Sequence, residues 1–227
     1  MSVWARAKKR VEHLTTSPLV WIPRLRSQPL DHAYQERFMS KVPSTGVIVD
    51  VGSGAHPFAR ATILGERNLG DTQHRKDALA RDARPLLALD VEHLPFRDRS
   101  VDYLYCSHVL EHVDDPLRAC REIQRVAKAG YIETPTAMKD ALFGWAIELG
   151  HRWHVVRVKD RLVFFEYEPR QREGVRSDSW VRSIFTRMYH PNQDLFFHNL
   201  DIFNTILVWQ GGCDMHVHRL DGSFASL

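Results

Sequence analysis

From Val47 onward, short apolar runs alternate with polar connections, and most of the runs stop on an acid. Val47-Ile48-Val49 is a continuous β-branched run closed by Asp50. Such a run predicts a strand buried on both faces of a parallel sheet. Ala61-Thr62-Ile63-Leu64 leads into Gly65-Glu66, Leu86-Leu87-Ala88-Leu89 into Asp90, and Val101 to Cys106 and Gly130 to Glu133 repeat the grammar. Between the last two, Asp115 stands where a helix N-cap belongs and Pro116 where its first residue belongs. Leu117, Cys120, Ile123 and Val126 then recur at helical spacing, and Gly130 is read as the stop. Strand, helix and strand in that order form a βαβ unit.

The fold class is therefore α/β: a doubly wound, mostly parallel, Rossmann-like sheet with helices on both faces and an N-terminal helical extension. We divide the chain into an extension over 1–45 and a domain over 46–227, with a cofactor half at 46–135 and an acceptor half at 136–227. In the extension one helix ends near Thr16, prolines at 18, 23 and 29 punctuate the segment after it, and a second helix falls around 31–41. Arg161 to Tyr167 and Thr205 to Trp209 read as the last strands of the same sheet. Cys213, His216 and His218 fall on a half-exposed edge strand, where a metal is disfavoured. The aromatic-rich stretch from Trp180 to Phe203 is read as packing on the sheet and roofing an acceptor pocket.

Composition narrows the partners. The 227 residues are 44% hydrophobic and 26% charged, with a net charge of +3, too balanced for a dedicated nucleic-acid binder. That charge is uneven. Residues 1–30 hold six cations (Arg6, Lys8, Lys9, Arg10, Arg24, Arg26) against Glu12, which we read as the solvated face of a helix. Three dispersed cysteines make no disulfide framework. No apolar run approaches the roughly 20 residues that span a bilayer. The expectation is a cytoplasmic protein with no membrane span.

In doubly wound sheets, ligands bind at the carboxyl ends of the strands, so the residues there carry the chemistry. Asp50-Val51-Gly52-Ser53-Gly54 lets the backbone turn sharply beside a ligand. Ala55-His56-Pro57 then stands where a dinucleotide fingerprint needs a third glycine and a helix start, which disfavours NAD and FAD.

The same residues resemble the first motif of the class I S-adenosylmethionine-dependent methyltransferases. Asp90-Val91-Glu92-His93-Leu94-Pro95-Phe96 up to Asp102 resembles that family's third-strand exit, and Ser107-His108-Val109-Leu110-Glu111-His112-Val113 is similar to the segment after its fourth strand. That last likeness is to the small-molecule branch that includes the ubiquinone and menaquinone methyltransferases. The resemblance implies S-adenosyl-L-methionine as cofactor and S-adenosyl-L-homocysteine as product. It implies that Gly52 and Gly54, with Ser53 between them, pass beside the amino-acid tail and that Asp50 helps to hold its ammonium group. Glu66 or Asp90 takes the ribose hydroxyls. Glu66, 16 residues after Asp50, is preferred, which leaves Asp90 for the adenine amino group and the Val91 amide for the ring. Ser107 and His108 line the methyl-donor end. The ten residues 51–60, with Pro57 among them, are short for a crossover helix, so the first helix is truncated or irregular.

Transfer from an activated sulfonium is an in-line displacement that needs alignment and, for a hydroxyl acceptor, a base. His108 and His151 are the candidate bases. His108-Val109-Leu110-Glu111-His112 also fits the H-x-x-E-H zinc-peptidase pattern if it lies on one helix. The strand exit before it and the helix start after it argue against that, and a methyltransferase holding a divalent ion on Glu111 and His112 is a minority reading. No metal is expected. The function read from the chain is O-methylation of a small molecule. The alternatives are methylation of RNA or protein, or a catalytically inactive scaffold that keeps the cofactor pocket.

Overall fold

The computed structural model describes residues 33–70, 78–143, 150–169 and 199–227. The basic segment 1–30 and residues 180–198 of the aromatic-rich stretch lie outside them. A six-stranded sheet is built from β1 (Ile48–Val51), β2 (Ile63–Glu66), β3 (Leu86–Ala88), β4 (Tyr103–Ser107), β5 (Ala129–Pro135) and β8 (Asn204–Gln210), in the order β3-β2-β1-β4-β5-β8. The first five strands pair in parallel, and β8 returns antiparallel to β5. The strand order reverses between β1 and β4, the crevice where doubly wound sheets take their ligands.

β1 and β5 are buried along their whole length, the polar Asp50, Glu133 and Thr134 included. On one face of the sheet, Val49, Val51, Leu104, Cys106 and Ile132 share a core with helix α2 (Pro116–Val126). α2 offers Leu117, Ala119, Cys120, Ile123 and Val126 to that core. Full burial of each large side chain among them contributes about 1.5–3 kcal/mol. Asp115 caps α2 through hydrogen bonds accepted from the amides of Leu117 and Arg118. On the opposite face, Ile48, Leu64, Tyr103, Tyr105, Tyr131 and Ile206 pack with Met39, Val42 and Phe58. Met39 and Val42 come after the short helix α1 (Ala33–Glu36), which with a 3-10 turn at Met39–Lys41 occupies the second helix expected around 31–41.

Three expectations need correction. Gly130 does not stop the helix. α2 ends at Val126, and Gly130 lies inside β5, where a Cβ would stand 2.5 Å from the Leu104 carbonyl oxygen and 2.9 Å from the Trp209 ring. The strand at Arg161 is not part of the main sheet. β6 (Trp153–Val158), β7 (Arg161–Glu166), β9 (Asp214–His218) and β10 (Phe224–Ser226) form a second sheet in the order β10-β9-β7-β6. It packs Trp153, Phe164, Met215 and Val217 onto the α2 side of the core. β9 is therefore internal to that sheet rather than an edge, with His216 and His218 on its outer face against Phe224 and Phe165. Between β1 and β2 the chain runs through turns, matching the expected irregular first crossover. Two short helices, α3 (Ala137–Phe143) after β5 and α4 (Leu200–Phe203) before β8, complete the described elements. No helix among the described residues is long and apolar enough to cross a membrane.

Candidate functional site

A cavity of ≈ 410 Å³ opens at the carboxyl ends of β1, β2 and β4, large enough for a small-molecule ligand. Gly52, Gly54, Glu66, Asp90, Val91 and His108 line it, together with Arg67, Val109 and His112. The glycine loop is held against β2, with the Gly52 and Ser53 amides both donating to the Gly65 carbonyl. Gly52 has φ +77°, and a Cβ there would meet Val109 Cγ2 at 2.3 Å, so both the turn and its fit against the β4 loop require glycine.

The acids of this wall keep solvent contact. Glu66, the last residue of β2, accepts from the Gly54 amide at 3.2 Å. Asp90, two residues past β3, faces Arg67 at 3.3 Å and accepts from the Glu92 amide. Three residues predicted for cofactor binding lie outside the lining. Asp50 is buried beneath the loop, where it accepts from the Phe58 amide at 2.7 Å. Burial raises its pKa from 3.8 to about 7. Ser53 is buried, and its hydroxyl has no hydrogen-bond partner. Ser107 ends β4, half-buried, beside the cavity rather than in its wall.

The β4–β5 side is built differently. His108 has φ +57°, so the segment 108–112 is not one continuous helix and the zinc-peptidase reading loses its geometry. The strained turn places the imidazole between two carboxylates, Nδ1 at 3.3 Å from Glu111 and Nε2 at 3.4 Å from Glu133. Burial and the Lys139 charge push the His108 pKa down, but the two carboxylates outweigh them and the net shift is upward. Glu133, 1% exposed, accepts from Tyr34, Tyr131, Gln35 and Asn204. Burial opposes its charge, yet His108 and these donors hold its pKa at about 2. Lys139 donates to Asn204 at 2.6 Å, and burial lowers its pKa to about 8 against the pull of Glu133, Glu111 and Asp140.

His151, the other candidate base, stands behind the cavity wall rather than in it. It is 2% exposed, and its Nδ1 lies 2.9 Å from Asp140, which also accepts from Tyr167. Sequence reasoning missed Arg67, Lys139, Asp140 and Asn204. Glu133 carried the one available signal, an acid closing the apolar run Gly130-Tyr131-Ile132. Lys139, Asp140 and Asn204 reach their partners only through the tertiary fold.

Residues 49–132 match the family described as a methyltransferase domain. The chain is also similar to a demethylmenaquinone methyltransferase of Thermobifida fusca, 29% identical over 121 residues. That alignment takes in 50% of each protein, so the chain spans about half the length of the curated relative it matches. Among solved structures it is similar to a putative methyltransferase from an antibiotic biosynthesis pathway of Anabaena variabilis, at 17% identity and a TM-score of 0.41, over 52% of this chain and 54% of that one. It is similar too to the complex of a Haloferax volcanii methyltransferase activator and a putative methyltransferase, at 13% identity and a TM-score of 0.44, covering 79% of this chain and 92% of that one.

Proposed function

We propose, on the premise that residues 49–132 are a class I S-adenosylmethionine-dependent methyltransferase domain, that the protein transfers the cofactor's methyl group to an oxygen of a small molecule. The observation that carries this reading is the cavity at the sheet's switch point, walled by glycines on one side and by two solvent-facing acids on another. A nucleoside sulfonium needs such a wall. Its ribose and adenine offer hydroxyl and amino donors to Glu66 and Asp90, and its positive charge needs no phosphate-binding cation. Gly52 and Gly54 leave room for the amino-acid tail, and Val91 presents its backbone to the ring. Asp50 acts one layer back, by fixing the loop through Phe58.

S-adenosyl-L-methionine brings an activated methyl group, and this chain's part is alignment and proton handling. His108 borders the cavity with its ring between Glu111 and Glu133. To act as the base, neutral His108 would turn one ring nitrogen from its carboxylate toward the cavity to accept the acceptor hydroxyl's proton as attack develops, while the other nitrogen, still facing a carboxylate, stabilises the imidazolium that results. Because those carboxylates raise the His108 pKa, the neutral base fills as pH rises above the ordinary imidazole value of about 6.5. The small-molecule acceptor is supported by the similarity to the demethylmenaquinone methyltransferase of T. fusca.

The test is calorimetric titration with S-adenosyl-L-homocysteine, followed by incubation with methyl-labelled cofactor and a metabolite extract. Stoichiometric binding and labelled small-molecule product, with a rate that climbs with pH above neutrality, are the expected results. Absence of cofactor binding by folded protein overturns the reading. Cofactor binding without labelled product from any extract, RNA or protein makes the chain a cofactor-holding scaffold instead.

A further inference from the structure

At the cavity wall, Glu111, His112 and His151 each bring a metal-ligating atom within 4.8 Å of the others. Their approach is set by backbone. The Glu111 carbonyl accepts from the Arg152 and Trp153 amides, and the Trp153 indole donates to the Val113 carbonyl at 2.7 Å. The loop after β4 is thereby pinned to the entry of β6. The two imidazoles meet edge to face, with ring centroids 4.7 Å apart.

Two further observations point to a ligand. Glu111 is 0% exposed, and its Oε2 has no hydrogen-bond partner. Its Oε1 faces His108 at 3.3 Å and His112 at 3.9 Å; buried carboxylate oxygens are ordinarily satisfied, so the orphan Oε2 of the same group has the form of an open coordination valence. His151 turns Nδ1 to the buried Asp140, itself fixed by Tyr167. That contact fixes the ring's orientation and leaves Nε2 as the nitrogen able to bind an ion, the carboxylate–histidine support common behind metal ligands.

We propose that Glu111, His112 and His151 bind one divalent transition-metal ion of the Zn²⁺ type. Two imidazoles and one carboxylate are a donor set for zinc or for non-haem iron, and three protein ligands leave a position for water or a ligand oxygen. His112 belongs both to this trio and to the cavity lining, so the ion sits at the shared wall. There it is placed to take an oxygen of the acceptor, a role that rests on the methyl transfer proposed above, whereas the binding of the ion does not.

The experiment uses full-length protein stripped by chelator and titrated with Zn²⁺ by calorimetry and with Co²⁺ by visible absorption, without cofactor or acceptor. One equivalent of each ion, d–d bands from a nitrogen- and oxygen-ligated Co²⁺, and displacement of Co²⁺ by Zn²⁺ are expected. His112→Gln changes a side chain 32% exposed, so it tests the site without emptying the core, and it should abolish the bands. Asp140→Asn keeps the shape but weakens the support of His151, and should lower affinity by about 10–100-fold. Folding of each variant is checked by circular dichroism. No uptake by folded wild-type protein overturns the site, as does uptake that both His112→Gln and His151→Gln leave unchanged. Because no methyl transfer is measured, neither result bears on the cofactor reading, and loss of S-adenosyl-L-homocysteine binding with metal uptake intact would sink that reading alone.

Discussion

The two sides of the cavity hold their acids in opposite ways. On the β2–β3 side, Glu66 and Asp90 meet a backbone amide or an arginine across partly solvated gaps. On the β4–β5 side, Glu111 and Glu133 are sealed in and paired with histidine, tyrosine, glutamine and asparagine. Solvent-facing acids retain their capacity to meet a ligand and contribute little to folding. Buried ones are part of the folding free energy, because their partners are lost with them. On the function proposed above, the first wall is the recognition surface and the second a built polar core beside it.

Stability measurements break this comparison most directly. Glu133→Ala strands the Tyr34 and Tyr131 hydroxyls, the Gln35 and Asn204 amides and one side of His108 in a buried space. Removing one partner of such a buried charge network should cost about 3–5 kcal/mol in urea unfolding. Asp90→Ala gives up a pairing with Arg67 in which the arginine side chain is 60% exposed, and its cost should stay below about 1 kcal/mol. Equal costs at the two positions would erase the distinction.

Binding should invert that ranking. Loss of a hydrogen bond to a charged acceptor is worth about 1.5–3 kcal/mol, so Asp90→Ala should weaken S-adenosyl-L-homocysteine binding by about 10–100-fold. Gly52→Val, with its β-branched side chain driven into Val109 at a positive φ, should bring binding below detection while leaving the far side of the sheet folded. Calorimetric titration reads both. Undiminished affinity in Asp90→Ala would remove this wall from cofactor recognition.

The same contrast governs how much of each side was legible in the sequence. The recognition wall was written locally: strand, acid, strand, acid, with a glycine turn after the first. Glu66 and Asp90 could be picked out because each closes an apolar run, and both line the cavity. The helix start at Asp115-Pro116 was equally local. The polar core was not, because Tyr34, His108, Glu133 and Asn204 come from four separated segments that only the sheet order assembles. The H-x-x-E-H spacing suggested a helical face, but the left-handed turn at His108 makes its neighbours converge with His151 instead. The second sheet was missed for a related reason. β7 buries Leu162, Val163 and Phe164 in a row, as a main-sheet strand would, and nothing local says that β7 pairs with β9 while β8, between them in sequence, pairs with β5.

The pH dependence of stability separates the sealed acids of the β4–β5 side from Asp50, buried beneath the glycine loop, on opposite limbs. Glu111 and Glu133 have folded pKa values of about 2, below the ordinary 4.5. The stability they contribute is fully present above 4.5 and is lost as pH falls from there toward 2. Asp50, raised from 3.8 to about 7 by burial, does the reverse. The folded state holds its proton more tightly, so stability is greatest below 3.8 and declines as pH rises toward 7. Asp50→Asn should flatten the profile between pH 4 and 7 and leave the acid limb intact, as read by urea midpoints across the range. An unchanged slope between pH 4 and 7 would mean that Asp50 is solvated and free to face the cavity after all.

A smaller effect than at Glu133 belongs to an element that both sides share. α2 lies against β1, β4 and β5 through Leu117, Ala119, Cys120, Ile123 and Val126, so it backs the recognition wall and the polar core together. Its first turn is closed by the Asp115 carboxylate on the Leu117 and Arg118 amides, with Pro116 needing no partner for the N–H it lacks. Asp115→Ala should cost about 1 kcal/mol, the usual worth of an N-cap. The loss should appear as a lower urea midpoint at an unchanged m value. Because the helix supports both walls without contributing a group to either, cofactor affinity should stay at the wild-type value. A fall in affinity alongside the fall in stability would show that the recognition wall depends on the fit of α2, and that the two sides are mechanically one.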